Sequence, residues 1–483
     1  MEILQHLASG FAIALTPVNV VYCFIGVFIG TLVGVLPGIG STVSIAILIP
    51  LTVGLQPTTA ILINIPGEAA SVATTLDGYQ MARQGRAGPA LGISAIASFA
   101  AGTLSLILLM IFAVPLASYA LRFGPPEYFS LMLLGLTIVV SLVGRSMAKG
   151  ILAGIFGMLL ATIGMEPLTG QGRFTFDNVN LMGGIDFVAV VVGLFAIPEV
   201  LDNMEGPSLE VYRAKITNLL PTRQDLADCG GAMARSGVIG FLIGVLPGSS
   251  GAVAAFMAYN VEKNVSKTPE RFGAGAIQGV AAAEGANNAA VSGAMVPLLS
   301  LGIPVSAPMA VLAGAFMVHG LRPGPMLFDK NPDFVWALIA SMYVGNVILL
   351  ILNLPLVGLW TKLLRVPYRY LAPGILVLCL LGAYGIRSSF FDVGVAFAMG
   401  LIGYAMRKLD YPTAPVVLAL ILSPMLEDAL RQSLTMSKGS LAIFLTRPIS
   451  LTLLILTVIS IVLALMSRRR GLRAAEAFAG EEK

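Results

Sequence analysis

Between Ala281 and Ser292 the chain reads Ala-Ala-Ala-Glu-Gly-Ala-Asn-Asn-Ala-Ala-Val-Ser. On a helix, Glu284, Asn288 and Ser292 fall four residues apart and share one stripe, with Asn287 beside it. The surrounding sequence is apolar enough to lie in a bilayer, where a central carboxylate costs about 2.5 to 3.5 kcal/mol on insertion scales. Glu284 must therefore face a cavity or a partner. Two chemistries suit it: uptake of a proton, or ligation of a sodium ion alongside Asn carbonyl oxygens. The competing reading is a structural ion pair with Lys267 or Arg271 near the membrane edge. Glu68 raises the same question in Asn64-Ile65-Pro66-Gly67-Glu68, which leads to Ser71, Thr74 and Thr75. A related polar element is Leu301-Gly302-Ile303-Pro304-Val305-Ser306. Asn64, Gly67, Ser71, Thr74, Asn287, Asn288 and Ser306 are thus candidates to complete the hydrogen bonding of a bound anion, although Ser and Thr also bond to their own helix backbone.

A second kind of anion site is suggested by two Leu-Pro-Gly elements that interrupt apolar runs. One continues as Gly38-Ile39-Gly40-Ser41-Thr42, the other as Gly248-Ser249-Ser250-Gly251. Pro removes a donor and Gly admits positive φ, so each should break a helix inside the membrane. Freed backbone at that depth is tolerated only where protein or a water-filled cavity surrounds it. A helix starting after such a break aims unpaired N–H groups and the positive end of its dipole at one spot, which suits a carboxylate. Gly38, Gly40, Ser41, Gly248, Ser249 and Ser250 join the substrate-binding candidates on this ground. Close packing is the other use of Gly and Pro in such helices.

The two breaks belong to an internal repeat. Gly30-Thr31-Leu32-Val33-Gly34-Val35-Leu36-Pro37-Gly38 matches Gly240-Phe241-Leu242-Ile243-Gly244-Val245-Leu246-Pro247-Gly248 at seven of nine positions. The echo continues in Ile65-Pro66 against Ile303-Pro304, and in Gln84-Gly85 through Gly88-Pro89 against His319-Gly320 through Gly324-Pro325. Arg145-Ser146 against Arg387-Ser388, and Pro198 and Asp202 against Pro424 and Asp428, extend it. The second copy carries about 28 extra residues before Ile303. The organisation expected is a first repeat over 1–204, a cytoplasmic linker over 205–235 and a second repeat over 236–430. A final loop and span over 431–467 and a basic-then-acidic tail over 468–483 follow.

The elements that must hold these residues are membrane spans. Hydrophobic residues make up 57% of the 483 and charged residues 11%, against about 45 to 50% and about 25% in ordinary globular chains. Spans of roughly 20 residues leave room for about 12 crossings. The net charge of +4 is too small to suggest nucleic-acid binding. Cys23, Cys229 and Cys379 form neither a zinc pattern nor a disulfide framework, and His6 and His319 cannot make a His-rich metal site. No basic n-region precedes the first apolar stretch, so no cleavable signal is expected.

Under the positive-inside rule, Ser467-Arg468-Arg469-Arg470 after the apolar run 449–466 places the C-terminus in the cytoplasm and, counting back, the N-terminus outside. The same count puts Arg83, Arg86, Arg145 and the linker inside, and Glu166, Asp177 and the 319–333 loop outside. The 257–275 segment, with Lys263, Lys267 and Arg271, has no determined side. Loop 83–89 inside and its equivalent 319–325 outside make the repeat an inverted one, the architecture with which secondary transporters build a midplane site with two-way access.

These blocks resemble the large membrane subunit of the tripartite tricarboxylate transporters, the TctA family. The resemblance rests on Gly34-Val35-Leu36-Pro37-Gly38-Ile39-Gly40, Leu62 through Ser71 and on to Asp77-Gly78-Tyr79, Met81 through Ala90, Glu284 through Ala290, Leu301-Gly302-Ile303-Pro304, and His319-Gly320-Leu321 through Pro325. It implies a permease of the bacterial inner membrane. Its partners would be a small membrane subunit (TctB-like) and a periplasmic solute-binding protein (TctC-like), and its role to import tri- or dicarboxylates by symport with a sodium ion or a proton. No cofactor is implied beyond that ion. Gly285 stands where Ala would be expected, and Val305 where Gly is usual.

Two other functions compete. An intramembrane serine protease would use Ser250 in Gly248-Ser249-Ser250-Gly251, but that chemistry needs a base beside the serine and only His319 offers one. A passive organic-anion channel is the nearer alternative. No Gly-Lys dipeptide occurs in the sequence, so a P-loop ATPase is excluded. Since a polyanion entering against about 100 mV, inside negative, meets about 2.3 kcal/mol per charge, accumulation requires co-transported cations.

Overall fold

A computed structural model describes residues 2–35, 72–142, 146–166, 170–205, 219–246, 251–356, parts of 373–384, 389–462 and 466. In chain order its principal helices are α1 (Glu2–Ala14), α2 (Pro17–Val35), α3 (Val72–Arg83), α4 (Ala87–Ala120), α5 (Pro125–Leu142) and α6 (Met147–Ala161). They continue as α7 (Arg223–Val245), α8 (Gly251–Val265), α9 (Ile277–Leu301), α10 (Ala307–Val318), α11 (Pro332–Asn353), α12 (Phe390–Lys408) and α13 (Ala414–Met436). Among the described residues α4, α7, α11 and α12 are long and apolar enough to cross a membrane. The pair Ile3–Ala14 and Pro17–Phe28, bent by 82°, makes a fifth when counted as one span. The chain is a predominantly helical, multi-pass membrane protein.

It divides into two compact units, Met1–Ala120 with Val188–Tyr404, and Leu121–Phe187 with Ala405–Lys483. In the first unit α4, α7 and α9 run side by side in the same direction. Met81, Ala87 and Leu91 cluster with Cys229, Met233, Ile277 and Ala281 at their starts. Further along, a Cβ on Gly240 would lie 2.3 Å from the Ala286 carbonyl oxygen, and one on Gly244 2.2 Å from that of Ala290. Small residues spaced by four let helix backbones approach where lipid offers no hydrophobic drive for association. Ala282, Ala286 and Ala290 of α9 continue the same row against Ala254 and Ala258 of α8.

Helix α7 ends at Val245, with Leu246 extended beyond it at the start of the second Leu-Pro-Gly element. After the second, α8 starts at Gly251. Arg235, ten residues before the end of α7, donates to Glu262, eleven residues into α8, through Nε at 2.9 Å and a terminal nitrogen at 2.8 Å. The two helices therefore fold back on each other. At the other end of α7, Thr222 and Asp225 form a capping box. Arg86 pairs with Asp225 at 2.8 Å, so the start of α7 is tied to the turn that opens α4.

The helices α3 and α10 end in matching turns. Gly85 has φ +79° and Gly320 φ +75°; Arg86 N–H bonds to the Met81 carbonyl at 2.8 Å and Leu321 N–H to that of Phe316 at 2.9 Å. Positive φ is open to glycine without a steric penalty, which explains its presence at both corners. The turn at 84–86 lies at the start of α9, since the Gln84 amide donates to the Ala274 carbonyl at 2.8 Å. The corresponding loop lies at the end of α9, where Gly324 N–H bonds to Leu299 and a Cβ on Gly302 would meet the Pro323 carbonyl oxygen at 2.7 Å.

In the second unit α5, α6 and α13 pack together, and a two-residue hairpin pairs Gly164–Met165 with Gly172–Arg173. Charges close it: Arg431 bonds to Glu166 at 2.9 Å and to Glu427 at 2.8 Å, and Arg173 to Glu427 at 2.9 Å.

Replacing Gly244 with Leu should push α7 off α9 and cost about 1 to 3 kcal/mol, as overpacking does. Gly230→Ala, where nothing lies within 4 Å, should be neutral or stabilising by up to about 1 kcal/mol. Thermal unfolding of the two variants in detergent checks the contrast.

Candidate functional site

The side chain of Glu284 is 3% exposed and sits seven residues into α9, about 10 Å along a helix that rises ~1.5 Å per residue. Lipid does not reach it. Its carboxylate accepts the hydroxyl of Thr74, which α3 brings across, and neither Lys267 nor Arg271 pairs with it among the described residues. The stripe continues on the same side. Asn288 donates its amide to the Ser98 carbonyl at 2.8 Å, while Ser98 Oγ donates to the Glu284 carbonyl at 3.5 Å.

One helix turn on, α11 adds an amide that the sequence reading passed over. Asn346 donates to the Phe99 carbonyl and to Thr103 Oγ1, each at 3.0 Å. Asn288 and Asn346 meet over Gly102, where an added Cβ would lie 3.1 and 3.3 Å from their amide nitrogens. Both spend N–H groups on α4, and each amide carbonyl keeps acceptor capacity of its own. A lone Asn in an apolar span is the signal that would have found Asn346.

Gly285, unexpected beside the carboxylate, has a steric cause: a Cβ there would meet Ser236 Oγ at 2.4 Å and Ala101 Cβ at 3.1 Å. Val305 is buried at 1% exposure.

Of the predicted residues, the structure unites Glu284, Thr74 and Asn288. Asn287 is half-buried on the neighbouring face of α9, and Ser292 is buried two turns on from Glu284. Ser306 stands at the N-cap position of α10 without a side-chain capping bond. Gly38, Gly40, Ser41, Asn64, Gly67, Glu68, Ser71, Gly248, Ser249 and Ser250 lie outside the described residues. Asp77 is a further buried carboxylate that the sequence reading gave no role. It is satisfied by backbone N–H groups and a tyrosine, partners that no local pattern encodes.

A multi-pass helical bundle that turns a carboxylate, hydroxyls and amides toward protein instead of lipid has the build of a membrane component handling polar cargo or ions. Residues 20–418 match the model of the tripartite tricarboxylate transporter TctA family, and the chain belongs to that family. It is thus a component of a transporter that works with partner subunits, and not an enzyme. It is 45% identical over 493 residues, 98% of each chain, to an Agrobacterium vitis protein described as "Uncharacterized 52.8 kDa protein in TAR-I ttuC' 3'region". A second Agrobacterium vitis protein, "Uncharacterized protein in TAR-II ttuC' 3'region", is 45% identical over 234 residues, 48% of this chain and 97% of its own length.

Arg235→Met leaves the buried Glu262 carboxylate without its guanidinium. Breaking a buried pair from one side costs about 3 to 5 kcal/mol, and the half-exposed arginine brings the expected loss to or below the lower figure. The exchange Arg235→Glu with Glu262→Arg should recover part of it, as measured by the unfolding midpoint in detergent.

Proposed function

We propose that the chain is the permease subunit of a binding-protein-dependent secondary transporter that imports tri- or dicarboxylates by cation symport. The observation that carries this reading is Glu284, a carboxylate inside the bundle whose described partner is a neutral hydroxyl rather than a lysine or arginine. A structural ion pair would leave no role for a mobile cation. A carboxylate bonded to a hydroxyl, with Asn288 one turn along the same stripe, suits a proton or a sodium ion, and either would offset the charge of an entering anion.

The anion itself is assigned to the two broken elements around Gly38 and Gly248, with Thr74 and Asn288 bordering the cation. An inverted repeat is favoured by the turns at Gly85 and Gly320, which share a hydrogen-bond pattern yet lie at opposite ends of α9. A side for the 257–275 segment is supported by the same contacts. Loop residue Ala274 meets Gln84, and Asp225 meets Arg86, so Arg83, Arg86, Arg223 and the basic 263–271 segment share one end of the unit. Such a concentration favours a cytoplasmic face in a bacterial inner membrane. On this reading a small membrane subunit accompanies the chain, and a periplasmic solute-binding protein delivers the carboxylate to the opposite face.

Proteoliposomes containing the chain and its partner subunits, challenged with labelled citrate, succinate and malate under imposed sodium or proton gradients, test the proposal. Uptake by the unaltered transporter should depend on one cation and on the binding protein; flux without either would indicate a channel. Glu284→Gln should abolish accumulation against a gradient while leaving exchange of labelled carboxylate measurable. Unchanged sodium and pH dependence in that variant would remove Glu284 from the mechanism.

A further inference from the structure

Asp77 is fully buried, and no lysine or arginine pairs with it among the described residues. Its Oδ1 accepts the N–H groups of Gly273, Gly275 and Ala276, each at 2.8 Å, and its Oδ2 accepts the Tyr259 hydroxyl at 2.9 Å. Four donors thus hold one carboxylate from the loop that leads into α9 and from α8. The first turn of α9 presses on the same group, since a Cβ on Gly279 would lie 2.3 Å from Oδ2. Asp77 and Thr74 are three residues apart on α3 and share a face. A slide or rotation of α3 against α9 would have to break the Asp77 cluster before Thr74 could leave Glu284. The 266–276 loop lies between Gly248 and Ile303, a stretch about 28 residues longer than that between Gly38 and Ile65. It supplies the donors that a buried carboxylate requires.

We propose that Asp77 is a positioning residue of the cation site, which holds α3 against the start of α9 so that the Thr74 hydroxyl stays on Glu284. This rests on the cation role of Glu284 proposed above. Asp77 touches neither the cation nor the carboxylate substrate; it acts through Thr74. Removing its charge weakens three backbone hydrogen bonds at once, and the consequence appears at Glu284, two turns up α9.

The test uses the transporter with its partner subunits in proteoliposomes, with labelled citrate, succinate and malate as probes. Asp77→Asn should shift the cation concentration for half-maximal uptake by about tenfold, the scale of losing one hydrogen bond to a charged group. The KM for the transported carboxylate should stay within about twofold, because a purely packing defect would lower the rate or amount of active protein without this separation. Tyr259→Phe, which removes one donor of the four, should shift the cation dependence in the same direction by less, and it decides the matter if Asp77→Asn fails to insert. As a measurement independent of cargo, the rate at which dicyclohexylcarbodiimide modifies Glu284 in the detergent-purified permease, followed by peptide mass spectrometry, should rise severalfold in Asp77→Asn or Tyr259→Phe. Unchanged cation dependence and unchanged labelling in these variants, while Glu284→Gln alters coupling, would overturn the role of Asp77 and leave that of Glu284 standing. An unaltered cation dependence in Glu284→Gln would overturn both.

Discussion

Lipid is kept away from the Glu284 carboxylate by the close approach of helix backbones, and the polar chemistry of the first unit depends on that approach. Gly240 and Gly244 rest on the carbonyls of Ala286 and Ala290, and Gly285 on Ser236 and Ala101. With no Cβ between them the helices touch along their main chains, and short side chains such as Thr74 and Ser98 can reach a neighbouring helix. Bulkier residues would fill the same space with hydrocarbon and move these hydroxyls out of range. In a bilayer the association gains nothing from excluding water, so dispersion between tightly fitted surfaces and hydrogen bonds across them must supply it. The small residues therefore provide the packing and also the route by which polar groups meet.

Charges then fix register where small residues leave it loose. A row of Gly and Ala at intervals of four can slip by one turn with little change in contact. Arg235 on Glu262 at the α7–α8 pair, and Arg86 on Asp225 at the start of α7, each permit one alignment. Buried or half-buried ion pairs contribute little net stability against apolar replacements, and specifying register is their best-attested use. Here the register matters because it fixes how α7 and α8 lie against each other.

Much of this was legible in the sequence, for reasons that differ by residue. The stripe of Glu284 and Asn288 was readable because helical periodicity is local and a carboxylate in an apolar run has few tolerable surroundings. The break after Val245 was readable because Pro and Gly act on the backbone that carries them. Thr74 was named as a polar residue, but its pairing with Glu284 spans more than two hundred positions and depends on the path of α3. Asn346 escaped because one amide in a long apolar helix forms no stripe. Asp77 escaped because three of its four partners are main-chain groups, which every residue except proline possesses and no side-chain pattern announces.

Helix α9 contacts the 84–86 turn at its start and the 320–324 loop at its end, so under the inverted reading it joins the two equivalent corners that must exchange roles as access alternates. A cation can shift such an equilibrium only by binding one arrangement more tightly than the other. Glu284 is well placed for this, because its partner Thr74 belongs to α3, which ends at one of those corners, while the carboxylate belongs to the connecting helix. On the proposed reading, movement of the corner relative to α9 would change the contacts of a bound cation, and by reciprocity the cation would change the cost of that movement. The counterpart corner ends α10, where the position matching Thr74 is Met309, a side chain with only a weak acceptor to offer a carboxylate or a cation. On the proposed reading the cation contact would then form at one of the two corners and not at its counterpart.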